Sequence, residues 1–367
     1  MSRTLTTVLG TCLLLFHLQA PASAAAAEAI APSKPAIKQY VHPVLVTEMT
    51  RFDTDDPAIW IDRQHPENSL VLGTDKNRDG ALYVYDLKGR IIKDKVVRNL
   101  QRPNNVDIEY GFVLGGEKID IAVVTERLTH RLRIFRLPDM QPVDQGGVEV
   151  FAGEPSEDFR SPMGIALYKR PDDGAIFAMV GRKSGPSDGY LWQYRLEDDG
   201  RGGVRGVLER KFGTFSGEKE IEAIAVDDSL GYVYYCDENA GIRKYYADPL
   251  KGSEELALFG TDAFTDDREG IAIYQRDAQR GYILVSDQQA NRFNVYRREG
   301  APGQPHKHEL LKSVHTVTNE CDGCEVTSVA LGDKFPHGMF VAMSDNRTFQ
   351  FYNWDDLVKD DLDEKNN

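Results

Sequence analysis

Basic residues are the minority in this chain of 367 residues: 44 Lys and Arg face 58 Asp and Glu, a formal charge of −14. That balance disfavours a nucleic-acid binder, which needs a basic face to displace counterions. It does not disfavour a phosphorylated small molecule, provided cations lie between the two sets of negative charge. Helical periodicity is scarce, which argues against alternating strand–helix units. Cysteine is rare, with four residues, and no second Cys-x-x-Cys exists to complete a four-thiolate zinc site. His308-Glu309 begins like a zincin helix, but Lys312 stands where the second histidine belongs. A Gly-x-Ser-x-Gly elbow and a Walker loop are both missing, so two common catalytic frameworks have no support.

What the sequence does contain is enough apolar surface, 41% of residues, to build a core. Its length allows two domains or one large all-β unit. Residues 1–24 read as a secretory signal, with Arg3 as a lone basic residue, an apolar run from Val8 to Leu18, and Ala22-Ser23-Ala24 as small cleavage residues. The run is too short to span a bilayer, and Thr11 before Cys12 argues against a lipid-attachment site. Export to the periplasm or the medium is therefore expected, with 25–39 as a linker and the charged stretch 357–367 as a fraying tail. In an exported protein Cys321 and Cys324, in Cys-Asp-Gly-Cys, read as a short disulfide, leaving Cys236 alone.

From Tyr40 onward short β-branched and aromatic runs alternate with Gly, Asp and Asn turns, as in Gly231–Tyr246 and Gly281–Arg298. One signature heads each segment: Asp56–Ile61, Asn104–Ile108, Pro162–Leu167, Ile221–Val226, Arg268–Ile273 and Cys324–Val329. Aligned on Ala58, Val106, Gly164, Ala223, Gly270 and Val326, the spacings are 48, 58, 59, 47 and 56 residues. Six units of blade size predict a six-bladed β-propeller, all-β, over residues 40–356. A long β-sandwich would not restart its strands with one signature six times.

In a propeller the innermost strands line a central channel, so the polar residues at their heads ring one mouth. Asp55, Asp56, Asn104, Asn105, Glu222, Glu269 and Glu325 would share that opening. Crowded carboxylates repel one another unless a cation neutralises them, and an all-oxygen ring suits calcium better than zinc. Calcium in such a channel can be catalytic or can merely tie blades together. Asp75–Asp86 has the spacing of a calcium loop, but its strand-like flanks and internal Lys76 and Arg78 favour an ordinary hairpin turn.

Thr54–Trp60 (TDDPAIW) and Asn104–Tyr110 (NNVDIEY) resemble the two signature motifs of the β-propeller phytases, alkaline calcium-dependent 3-phytase-like enzymes. The similarity continues, in order, through Gly73–Lys76, Ile119–Arg127, Ala178–Lys183, Ile221–Asp228, Asp266–Tyr274 and Cys321–Val326, covering Phe52 to Trp354. The resemblance implies calcium-dependent hydrolysis of myo-inositol hexakisphosphate (phytate), or its calcium complex, by direct attack of a calcium-activated water. It assigns Lys76, Arg127 and Lys183 to substrate phosphates. It assigns Asp55, Glu222 and Glu269 to catalytic calcium, and Glu238 to the cleavage or an adjoining phosphate site. Asp56, Asn105 and Asp107 fall in the signature motifs as metal-binding or metal-positioning residues.

Two positions depart from the family pattern. Met163 stands where a tyrosine is common, and Thr316 where an acidic ligand is expected, with Glu320 as its replacement; Glu48 is a further candidate ligand. The alternatives are a calcium-propeller hydrolase of another phosphoester or a lactone, and a non-catalytic secreted binding propeller. The Lys/Arg triplet favours phosphate, since a lactone needs little positive charge. A monomer is expected, with no nucleic-acid or membrane partner.

Overall fold

The computed structural model describes residues 39–358. The expected signal, the linker up to residue 38 and the tail beyond Val358 lie outside the described residues. Those described form a six-bladed β-propeller: six antiparallel sheets of four strands, the second carrying an extra two-residue strand, Gln141–Pro142. The innermost strands are Thr54–Trp60, Pro103–Leu114, Pro162–Lys169, Ile224–Asp227, Arg268–Gln275 and Cys324–Thr327. Each coincides with one of the six repeated signatures. Only in the fourth does the strand begin late, leaving Ile221–Ala223 as extended chain ahead of it.

The apolar runs earn their strand assignment by burial on both faces. Leu70–Asp75 and Ile176–Arg182 are buried at every position, because each sheet is sandwiched between two others and cannot keep a polar face. The core accordingly lies between blades. Ala58, Leu72 and Val84 of the first blade meet Val106, Ala122 and Val124 of the second. Ile121, Val123 and Ile134 of the second meet Ile165, Ala178 and Val180 of the third.

The ring is closed by residues from opposite ends of the chain. The last sheet holds Cys324–Thr327, Met339–Ser344 and Thr348–Asn353, and its outermost strand is Leu45–Val46, paired with Phe351 and Gln350. Val44 N–H donates to Phe351 O at 2.8 Å and Thr47 N–H to Phe349 O at 3.0 Å. Trp354–Leu357 forms a final helical turn that buries Leu357 and Val358 against this blade, so the core extends two residues into the stretch read as tail.

Two local readings can be compared directly. Asp75–Gly80 is the turn of an ordinary hairpin, with Asp75 Oδ1 accepting from the backbone N–H of Phe52 and Asp53. The disulfide expected from Cys321 and Cys324 is not formed, and all three cysteines among the described residues are free and buried. The Cys321 thiol instead donates to Gly323 O at 3.2 Å, inside its own loop, while Cys324 has already entered the inner strand opposite Ala342.

Four inner strands carry a register irregularity at the same place, between Thr54 and Pro57, Pro103 and Val106, Pro162 and Ile165, and Arg268 and Ile271. Such bulges re-aim side chains where they occur. In the third blade the irregular stretch includes Gly164, where an added Cβ would lie 1.8 Å from Glu222 O. The neighbouring chain segment passes against bare backbone there, so Gly164→Ala must push Glu222 away. We expect a loss of roughly 1–3 kcal/mol, the usual cost of overpacking, read as a lower urea midpoint.

Candidate active site at the channel mouth

The bulges separate consecutive polar residues into two levels. The first of each pair faces the mouth and the second faces the channel. Asp55, 1% exposed, receives Lys76 Nζ at 2.5 Å, and the same ammonium reaches Asp322 Oδ2 at 3.1 Å. Asn104 bridges two carboxylates, donating through Nδ2 to Glu222 Oε1 at 2.8 Å and to Asp55 Oδ2 at 3.3 Å. One level down, Asp56 Oδ2 accepts from Val106 N–H at 3.0 Å. The Asn105 amide nitrogen, turned towards its acceptors, meets Glu222 Oε1 at 3.3 Å and Met163 O at 3.2 Å.

Asp56, Asn105, Asp107 and Glu325 line a channel cavity of 610 Å³ together with apolar residues such as Val106, Ile165 and Ile271 and with Arg63, Tyr110 and Gln275. Asp107 is held by backbone: its oxygens accept from Ile108 N–H at 2.7 Å and Leu167 N–H at 2.6 Å, tying the second blade to the third. The structure thus sets Asp56, Asn105 and Glu325, expected at the mouth, one level down inside the channel with Asp107. Glu320 is exposed, with its N–H bonded to Asn291 Oδ1. Glu48 is also exposed and accepts from Ile91 N–H at 2.7 Å. Thr316 and Met163 are buried, and Met163 meets its surroundings through its carbonyl, which accepts from Thr125 Oγ1 at 2.6 Å.

The three cations are linked by overlapping acidic neighbours: Asp55 and Glu222 act on both Lys76 and Arg127, and Glu220 on both Arg127 and Lys183. Burial alone would push the Lys76 ammonium down, but Asp55, Glu222 and Asp322 together hold it well above its ordinary value. Arg127 begins a short helical turn whose N–H donates to Arg102 O. Burial and the Arg102 guanidinium lower its pKa, against Glu220, Glu222 and Asp55. Lys183 forms an ion pair with Glu220. Three residues belong to this cluster that had been assigned no role from the sequence: Asp322, Glu220 and Arg102. Asp322 lies within the Cys321–Val326 motif but was given no part in the site. Glu220 stands two residues before Glu222, and in extended chain that spacing points both to one side.

Carboxylates remain in surplus even so. Burial, and then the charges of Glu220, Glu222 and Asp267, push Glu238 up to about 9. Burial, with Glu238, Glu222 and Asp322, puts Glu269 well above the usual carboxylate range. Glu238 Oε1 and Asn104 Oδ1 are buried without a hydrogen-bond partner. Among the described residues no three His, Cys, Asp or Glu side chains already converge as a formed metal cage. The chemistry still fits a hard cation: oxygen donors only, mutually repelling, with two buried oxygens lacking partners.

A six-bladed propeller whose mouth joins excess carboxylate to three cations defines a class of phosphate-handling hydrolase sites. The comparisons place the chain within that class: a protein-family model described as Phytase matches residues 2–366. A 3-phytase of Bacillus subtilis (strain 168) is 31% identical over 322 residues, spanning 83% of this chain and 80% of that protein. The chain belongs to the phytase family, and it is a phosphoric monoester hydrolase acting on a small-molecule substrate.

The raised carboxyls fix a sign for the pH dependence of stability. Burial pushes Asp107 to about 7, Glu325 to about 8 and Glu238 to about 9, against roughly 4 in the unfolded chain. The folded protein therefore holds protons that the unfolded chain has released, and stability falls as pH rises through that window. In chelator the melting temperature is expected to drop steadily from pH 5 to about pH 9; a rising profile would contradict these environments.

Proposed function

We propose that this protein is an exported, calcium-dependent phytase that removes phosphate from myo-inositol hexakisphosphate. The observation that carries the reading is the mouth itself, where Lys76, Arg127 and Lys183 share one cluster of surplus carboxylates in a chain of the phytase family. Asp55, Glu222 and Glu269 would hold calcium, with Asp56 and Asn105 beneath them. Bound there, calcium would neutralise phosphate oxygens and lower the pKa of water. Lys76, Arg127 and Lys183 bind and orient the phosphate groups by charge-assisted hydrogen bonds. Asn104 keeps Asp55 and Glu222 in register, and Glu238 adjoins the phosphate being cleaved. Water attacks phosphorus in line, with no phosphoenzyme. Export rests on the signal-like first 24 residues.

Chelation with EDTA should abolish phosphate release from phytate, and added calcium should restore it; full activity in excess chelator would end this reading. Arg127→Ala is expected to lower kcat/KM on phytate roughly 10- to 100-fold, the share typical of hydrogen bonds to a charged group. Protons and calcium compete for the same carboxyls. The calcium concentration giving half-maximal activity should therefore rise as pH is lowered from about 9 to 6, as steady-state titrations at each pH would record.

A further inference from the structure

Two of the cations at the mouth stand without a counter-charge in contact. Lys76 and Lys183 each rest on a carboxylate. Among the described residues neither Arg102 nor Arg127 forms an ion pair, and Arg102 Nε is buried without a hydrogen-bond partner. Next to burial, the Arg102 guanidinium is the main cause that lowers the Arg127 pKa, so the two positive charges act on each other.

The backbone builds this pairing. Arg102 N–H donates to Asn77 O at 2.7 Å, in the hairpin turn beside Lys76, and Arg102 O accepts from Arg127 N–H at 3.1 Å. Leu128 N–H donates to Gln101 O at 3.2 Å and Gln101 N–H to Glu126 Oε1 at 2.8 Å, which lashes the two turns together. Arg102 itself lies in the left-handed region, with φ of 57°, a conformation that glycine or asparagine adopts at less cost than arginine. A residue kept only to shape the turn would be one of those two. Strained backbone and repelling side chains both lower stability, and they gather where function requires them.

We infer that Arg102 is a further substrate-binding residue, which joins Arg127 in a two-guanidinium clamp on one phosphate group. This rests on the reading of Arg127 as a phosphate contact. A phosphate monoester carries about 1.5 to 2 negative charges at pH 7, enough to answer both cations. Each guanidinium offers forked donors that match its oxygens. Binding then replaces repulsion between the arginines with the attraction of each to the same anion.

The test is steady-state hydrolysis of phytate by the full-length protein, at calcium levels that leave phosphate in solution, with inorganic phosphate as competing ligand. Arg102→Asn suits left-handed backbone. It is expected to raise the KM for phytate and the inhibition constant of inorganic phosphate roughly tenfold, the scale of hydrogen bonds to a charged group, with kcat changed far less. Arg102→Lys keeps the charge and should recover most of both losses. Arg98→Gln removes an equal charge from an exposed position on the preceding strand, Val97–Leu100, and should leave both constants near wild type. In an Arg127→Ala background the effect of Arg102→Asn should shrink to roughly two- to threefold, because the two side chains serve one phosphate. Without ligand the melting temperature of Arg102→Asn should equal or exceed that of wild type, since strain and repulsion leave together.

Wild-type constants in Arg102→Asn, with Arg127→Ala raising both, would overturn the role of Arg102 alone. Wild-type constants in Arg127→Ala would overturn the phosphate role of Arg127 and the clamp with it. A loss in Arg102→Asn that persists undiminished in Arg127→Ala would overturn the shared phosphate. A loss accompanied by a lower ligand-free melting temperature would make Arg102 a structural residue and overturn the clamp.

Discussion

The closure of the ring is the constraint on which everything else rests. Six twisted sheets surround an axis only if the last is tied to the first, and here Leu45–Val46 completes the blade begun by Cys324–Thr327. The hydrophobic clusters run from blade to blade rather than within one sheet. No blade can therefore bury its faces without its neighbours, and the site at the mouth exists only in the closed ring.

That closed ring forces like charges together. Asp55, Glu222, Glu269 and Asp322 come from four different blades or their leading loops, and each is far from the others in sequence. Their mutual repulsion is partly relieved by Lys76, which lies between Asp55 and Asp322, and by Asn104, which donates to two of them. The remainder persists as raised carboxyl pKa values and partnerless oxygens at Glu238 and Asn104. The bulges at the strand heads decide which side chains meet this field. They split Asp55 from Asp56 and Asn104 from Asn105, sending one of each pair to the mouth and the other down the channel.

Much of this is legible in the sequence because a period-two pattern restarted six times leaves little choice of architecture. The inner strands fall on the repeated signatures, and Asp55, Asn104, Glu222 and Glu269 meet as ring geometry requires. Asp56, Asn105 and Glu325 read as mouth residues because they head their inner strands, but the strand starts carry them down the channel, beside Asp107 with its backbone donors. Glu320 fills a gap in register on paper, and in the fold it is an exposed residue with left-handed backbone, φ 44°. The cysteine pair reads as a disulfide from spacing and compartment, while the folded loop uses one thiol as a hydrogen-bond donor.

The sequence by itself determined the blade count, the order of strands and the acidic character of one channel mouth, since all three follow from local alternation and a repeated motif. Only the tertiary structure decided which cation stands against which carboxylate: Lys76 between Asp55 and Asp322, Lys183 on Glu220, Arg127 beside Arg102. Those pairings depend on blade-to-blade approach at Gly164 and Gly181 and on the bulges. Such contacts are set by the packing of segments far apart in the chain, which no local pattern of residues encodes.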